Sequence, residues 1–164
     1  MQTQINKVEL RNLEFDDYQQ LKNSMVESYP EMANSYWRPN DIKKLLSIFP
    51  EGQLVILVDG IVVGSALSLI VDEKLVDKRH NYKQIIGDYT FSTHNPDGEI
   101  LYGIDVFIHP NYRGLRLGRR LYDTRKELCE QLNLKAIVFA GRIPNYSQHS
   151  KKMTPRVYID KVKH

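Results

Sequence analysis

Only one cysteine, Cys129, occurs in 164 residues, so no disulfide can form within the chain. That fits a reducing, cytoplasmic compartment. Cys129 has no histidine or other base beside it in sequence, so it reads as a packed thiol rather than a nucleophile. No apolar run approaches the roughly 20 residues of a membrane-spanning helix. The opening Met1-Gln2-Thr3-Gln4 has no signal-peptide core, and no membrane partner is expected. Charge of one sign is scarce: 23 basic against 20 acidic residues leave +3, too small an excess to argue for nucleic acid. His80, His94, His109, His149 and His164 show no ligand spacing and no cysteine partner, so no metal site is expected. Repeats and low-complexity tracts are absent.

What remains is an ordinary globular composition, 41% hydrophobic and 26% charged, and the length suits a single domain over residues 1–164. Val8-Glu9-Leu10-Arg11 alternates as a half-buried strand does. Asp16 or Asp17 then caps a helix through about Val26, which Tyr29-Pro30 breaks. A second helix starts near Pro39 with Ile42, Leu45, Leu46 and Phe49 on one face, and Pro50-Glu51-Gly52 stops it. Two β-branched runs flank Asp59-Gly60, a strong hairpin signal. Residues 71–98 read as polar and irregular, and a strand follows from about Glu99 to Ile108. Leu117, Leu121, Leu128 and Leu132 predict a helix with a core-facing stripe. Ala136 to Ala140 is a fully apolar run that reads as a buried strand, and Thr154-Pro155 restarts a helix.

The most informative stretch joins the strand Ile104-Asp105-Val106-Phe107-Ile108 to the turn and helix His109-Pro110-Asn111-Tyr112-Arg113-Gly114-Leu115-Arg116-Leu117-Gly118-Arg119-Arg120-Leu121. A helix start leaves N–H groups unpaired and carries partial positive charge, which suits an anion such as pyrophosphate. Arginines at that end are not favoured by the helix dipole, so this cluster asks for a partner. A nucleoside-triphosphate loop would need Gly-Lys-Ser/Thr, and a dinucleotide fingerprint a different glycine spacing. Gly114 serving a turn and Gly118 packing the helix on the sheet is the bland alternative. Asp105 is the one acid in an apolar strand, and period-2 alternation sets it opposite Ile104 and Val106. It is either a base with a raised pKa or a structural carboxylate paired with an arginine on a neighbouring element.

This stretch resembles the acyl-coenzyme A loop of the GNAT acetyltransferase superfamily, with Arg113 in its first position, Gly118 in its last, and Arg116 where a middle glycine is usual. The resemblance implies an α/β (α+β) fold with a mixed, mostly antiparallel sheet, splayed at the strand ending in Ile108, and helices on both faces. It implies acetyl-CoA as co-substrate and an amine acceptor. The backbone of Val106, Phe107 and Ile108 would pair with the pantetheine arm, their side chains being core. The N–H groups of Leu115, Arg116, Leu117, Gly118 and Arg119 would meet the pyrophosphate, with Gly114 opening the turn and Arg113 and Arg119 supplying charge. Asp105 matches a carboxylate carried by some aminoglycoside acetyltransferases of the superfamily. The usual acid tyrosine, seven residues after Asn145, would fall on Lys152. Tyr146 is the substitute expected here, with Tyr158 nearby. Tyr29, Tyr36 and Trp37 fall where the fold builds an acceptor wall.

Arg113 to Tyr122 and Ala140-Gly141-Arg142-Ile143-Pro144 further resemble the acetyltransferase domain that precedes a carbon–nitrogen hydrolase in bacterial fusion proteins. The family normally adds two closing strands after its last helix. The expectation is therefore a downstream hydrolase domain, or a homodimer that exchanges strands. Two function classes stay open: an N-acyltransferase, and a coenzyme A-binding module that regulates an attached hydrolase.

Overall fold

Asp59 and Gly60 adopt positive φ values of 50° and 84°, the left-handed pair that a two-residue hairpin turn requires. They join β2 (Leu54–Val58) to β3 (Ile61–Val71) in the computed structural model, which describes residues 7–30, 34, 36–77 and 82–139. The other elements are β1 (Val8–Asn12), α1 (Tyr18–Ser28), α2 (Pro39–Ile48), α3 (Glu73–Asp77), α4 (Tyr82–Ile85), β4 (Ile100–Ile108), α5 (Leu117–Gln131) and β5 (Ala136–Phe139). The strands form one sheet in the order β1-β2-β3-β4-β5, antiparallel except for the parallel β4–β5 pair. The mixed, mostly antiparallel sheet expected from the sequence is thus present.

Alternation along β2 sorts the core into two layers. Val55 and Leu57 face α1 and α2, packing with Leu21, Met25, Ile42 and Leu45. Leu54, Ile56 and Val58 face α5 and meet Leu117 and Leu121. Helices therefore cover both faces.

Four local expectations need correction. Asp17 stands at the start of α1 but gives it no side-chain cap. Its carboxylate accepts two bonds of 2.8 Å from Arg11 and one of 2.9 Å from the Glu14 N–H. A forked guanidinium outcompetes a single amide for that carboxylate. Residues 71–98 are not simply irregular, because they hold α3, α4 and the buried Ile85, Ile86 and Phe91. Asp88, Tyr89 and Phe91 have positive φ, and their turn folds the chain back onto the core.

On α5 the buried row runs Leu117, Leu121, Arg125 and Cys129, while Leu132 is 39% exposed. Four-residue steps keep one row over the sheet, and the guanidinium of Arg125 joins it because backbone carbonyls receive it there. Burial pushes the Cys129 thiol up, in keeping with a packed group. The strand read as buried, β5, has both Ala136 and Phe139 exposed. It pairs with β4 along one edge, and no described strand covers the other. The helix expected from Thr154 lies outside the described residues.

Candidate active site at the bulge of β4

The site begins with one extra residue. Leu67 pairs with Asp105, but Ser68 pairs with Gly103, so Ile104 is left over as a bulge in β4. A bulge shifts the side-chain period by one. The alternation expected to set Asp105 opposite Ile104 therefore fails. Asp105 accepts a 2.9 Å bond from Trp37 Nε1, and Ile104 packs in the same α1–α2 layer as Trp37. The extra residue turns the carboxylate onto that face.

Both carbonyls of the bulge are taken by side chains absent from the sequence-based site. The Tyr82 hydroxyl donates to Ile104 O at 2.8 Å. Arg125 Nη2 donates to Leu67 O at 3.1 Å and to Asp105 O at 3.3 Å. Tyr82 sits in a polar stretch with no pattern to flag it. Arg125 could have been found as the polar member of the four-residue row between Leu121 and Cys129.

Burial pushes the Asp105 carboxyl above its ordinary value, opposed by the Trp37 donor, the Val106 N–H and the Arg125 charge. Burial and the nearby Asp105 raise the Tyr82 hydroxyl as well. Burial pulls the Arg125 guanidinium down to about 10, so it stays charged at neutral pH. The result is a carboxylate that accepts protons more readily than a surface acid, beside a buried cation.

Aromatic rings wall the Asp105 side. Trp37 packs against Phe91 at 5.9 Å and Tyr89 at 6.4 Å between ring centres, and Tyr29 meets Phe107 edge-on at 6.3 Å. Tyr18 donates to Trp37 O at 2.6 Å and fixes the segment between α1 and α2. Tyr36 instead lies under the cations of Lys22 and Arg38, at 4.5 and 4.3 Å.

On the other side, the described residues of β5 pair with β4 from Ile100 to Gly103. From Ile104 to Ile108 no described strand pairs with that edge. Phe107 is buried and Ile108 packs towards α5, but Val106 is 45% exposed. The expectation that all three are core is corrected for Val106.

His109 shapes the exit from β4: its Nδ1 accepts the Asn111 N–H at 3.1 Å and its Nε2 meets Glu27 at 2.7 Å. Gly114 then takes φ +86°, and nothing lies within 4 Å of where its Cβ would be. Arg116 takes φ 59° at the N-cap of α5, a left-handed conformation in which glycine is usual. The first helical bond runs from Arg120 N to Arg116 O at 3.2 Å, so the N–H groups of Leu117, Gly118 and Arg119 precede the ladder. No acid occupies the first turn of α5. Among the described residues no carboxylate pairs with Arg113, Arg116, Arg119 or Arg120, all exposed. At Gly118 a Cβ would meet only Ile108, at 3.8 Å, so internal packing does not demand the glycine. Open backbone, exposed arginines and no competing acid fit a polyanion. Tyr146 lies outside the described residues.

Comparison with known proteins places this geometry. Over 156 residues the chain is 38% identical to a "Probable hydrolase YhcX" of Bacillus subtilis (strain 168), covering 95% of this chain and 30% of that protein's length. Its fold matches the loading GNATL domain of CurA from Lyngbya majuscula, with a TM-score of 0.76 at 21% identity over 96% of this chain and 76% of that one. It also matches the GphF GNAT-like decarboxylase in complex with isobutyryl-CoA, with a TM-score of 0.70 at 17% identity over 93% and 75%. The Acetyltransferase (GNAT) family profile aligns with residues 9–154, and the chain belongs to that family.

Proposed function

We propose that this domain is an N-acyltransferase that moves an acetyl group from acetyl-CoA to an amine of a small molecule or a protein. The observation that carries this reading is the position of Asp105. A half-buried carboxylate, raised by burial and oriented by Trp37, stands at the bulge of β4, next to the exposed Val106. Such a group can take a proton from an attacking ammonium at neutral pH. The free amine attacks the thioester carbonyl, the C–N bond forms, the C–S bond breaks, and the thiolate leaves. Tyr146 is our candidate for returning a proton to the sulfur. A backbone N–H of the stretch Val106, Phe107 and Ile108 is the donor assigned to the developing oxyanion.

For the co-substrate, the backbone groups of Val106, Phe107 and Ile108 would pair with the pantetheine arm. The N–H groups of Leu115 to Arg119, with the charges of Arg113 and Arg119, would hold the pyrophosphate. Gly114 and Arg116 give the turn its left-handed steps.

A second reading has one observation behind it: the chain spans 30% of a relative named a probable hydrolase. On that reading the domain binds coenzyme A and regulates a downstream carbon–nitrogen hydrolase. A second copy seated on the outer edge of β5 is the alternative partner.

The deciding experiment pairs calorimetry with coenzyme A and thiol release across an amine panel. The enzyme reading requires Asp105→Asn to bind coenzyme A normally and to lose thiol release. Equal turnover by both proteins would retire Asp105 as base. Coenzyme A binding with no turnover by the unaltered protein would favour the regulatory module.

A further inference from the structure

We infer that Arg125 is a positioning residue: from the α5 face it clamps the bulge of β4 and so fixes the direction of the Asp105 carboxylate. The inference rests on the acyltransferase reading for its catalytic consequence, but the clamp itself can be tested without turnover.

Arg125 is 2% exposed, and its Nε has no hydrogen-bond partner among the described residues. A buried guanidinium that donates only to carbonyl oxygens, beside a carboxylate, is a poor way to fill space. A methionine of similar length would avoid the desolvation. What the charge does there is local. A bulge takes its extra residue out of the ladder. Here Nη2 spans the mismatch by holding Leu67 O on β3 and Asp105 O on β4 together. Gly103 makes room for it: a Cβ at that position would lie 2.7 Å from Nη1 and 3.1 Å from Cζ. Gly103, the extra Ile104 and Arg125 are thus three parts of one fitted arrangement.

The peptide between Asp105 and Val106 is trans, so its N–H points away from the carbonyl that Arg125 holds. A cation on that carbonyl polarises the unit and strengthens the N–H, which is one of the donors that favour the Asp105 carboxylate. The same cation faces the Asp105 carboxylate from α5, while the Tyr82 hydroxyl and the Trp37 N–H face it from the other layer.

Three variants test this: Arg125→Lys, Arg125→Met and Gly103→Ala, the last disturbing the clamp without removing its charge. Coenzyme A affinity by calorimetry is expected to stay within about threefold. With an acceptor amine, kcat should fall about 10²-fold in Arg125→Met, the scale of a sub-ångström to ångström misplacement, with KM little changed. Arg125→Lys should recover part of that loss, and Gly103→Ala should resemble Arg125→Met. Independently of turnover, the 13C titration of the Asp105 carboxyl should move to higher pH in Arg125→Met, because the lost charge favoured the carboxylate. An unmoved titration in folded Arg125→Met overturns the clamp, as does unchanged kcat in both Arg125 variants. If Arg125→Met does not fold, Gly103→Ala with normal kcat overturns it instead. A moved titration in a protein that turns over no amine upholds the clamp and rejects the acyltransferase reading.

Discussion

Trp37 and Asp105 are 68 residues apart in sequence and 2.9 Å apart in the fold, the indole N–H donating to the carboxylate. The bond lowers the Asp105 pKa against the larger upward push of burial. Trp37→Phe keeps the ring and removes the donor. The acid limb of the pH–rate profile should move to higher pH in that variant, with coenzyme A affinity unchanged. A profile that stays in place would show that Trp37 serves packing alone.

Asp105 also predicts a trade between stability and activity. Its folded pKa lies above the unfolded value, so the native state binds the extra proton and stability falls as pH rises through that window. Asp105→Asn removes this penalty, and the amide oxygen can still accept from Trp37. The variant should melt at a higher temperature than the parent at neutral pH. The gain should shrink as pH falls and vanish below the ordinary carboxylate range. Thermal melts across pH measure it, and a variant less stable at neutral pH would contradict the assignment of burial as the dominant effect.

How far the site could be read from sequence follows from which interactions are local. The hairpin at Asp59-Gly60 and the turn at Gly114 depend on backbone conformations that residue type announces, and both are present. The strand–turn–helix from Ile104 to Leu121 was legible for the same reason. Asp105 was picked out as the one acid in an apolar strand, but its direction was misjudged. One unpaired residue, Ile104, resets the alternation, and no pattern within β4 marks it. Arg125 and Tyr82 were missed because their partners are carbonyls on other strands. Arg116 in the place of a glycine was visible as a departure, and its left-handed backbone gives that departure a physical meaning.

That conformation has a measurable consequence. A non-glycine residue in the left-handed region costs about 1 kcal/mol or more, partly offset by the greater freedom of glycine in the unfolded chain. Arg116 at φ 59° has no side-chain capping bond to offset the strain. Arg116→Gly should stabilise the domain by about 0.5–1 kcal/mol, a rise in Tm of roughly 1–4 °C. A drop in Tm would mean that the arginine side chain contributes more than its backbone costs.

The Arg11–Asp17 pair ties β1 to the start of α1 through two bonds of 2.8 Å. Asp17 is nearly buried, and the Arg11 bonds hold its carboxyl below the usual range. A lowered acid stabilises the fold above the unfolded pKa, and that stability is lost as pH falls through the folded pKa. Asp17→Asn should therefore cost about 2 kcal/mol at neutral pH, as a charged hydrogen bond does when one partner is removed. The difference from the parent should close once the medium is more acidic than the carboxylate range. Urea melts at neutral and strongly acidic pH give both values.

Arg113 and Arg119 flank the open turn and are exposed, so each offers a screened, single contact to an anion rather than a buried one. Arg113→Ala and Arg119→Ala should each weaken coenzyme A binding about fivefold to tenfold, near 1 kcal/mol, and raising the salt should shrink the difference. The identity of the phosphate can be read by ligand truncation. If the arginines meet the pyrophosphate, dephospho-coenzyme A must show the same loss in each variant, because it keeps that group. A loss that disappears with dephospho-coenzyme A would move the contact to the 3′-phosphate and leave the pyrophosphate to the backbone of Leu115 to Arg119 alone. Normal affinity in the double variant would remove the arginines from the site altogether.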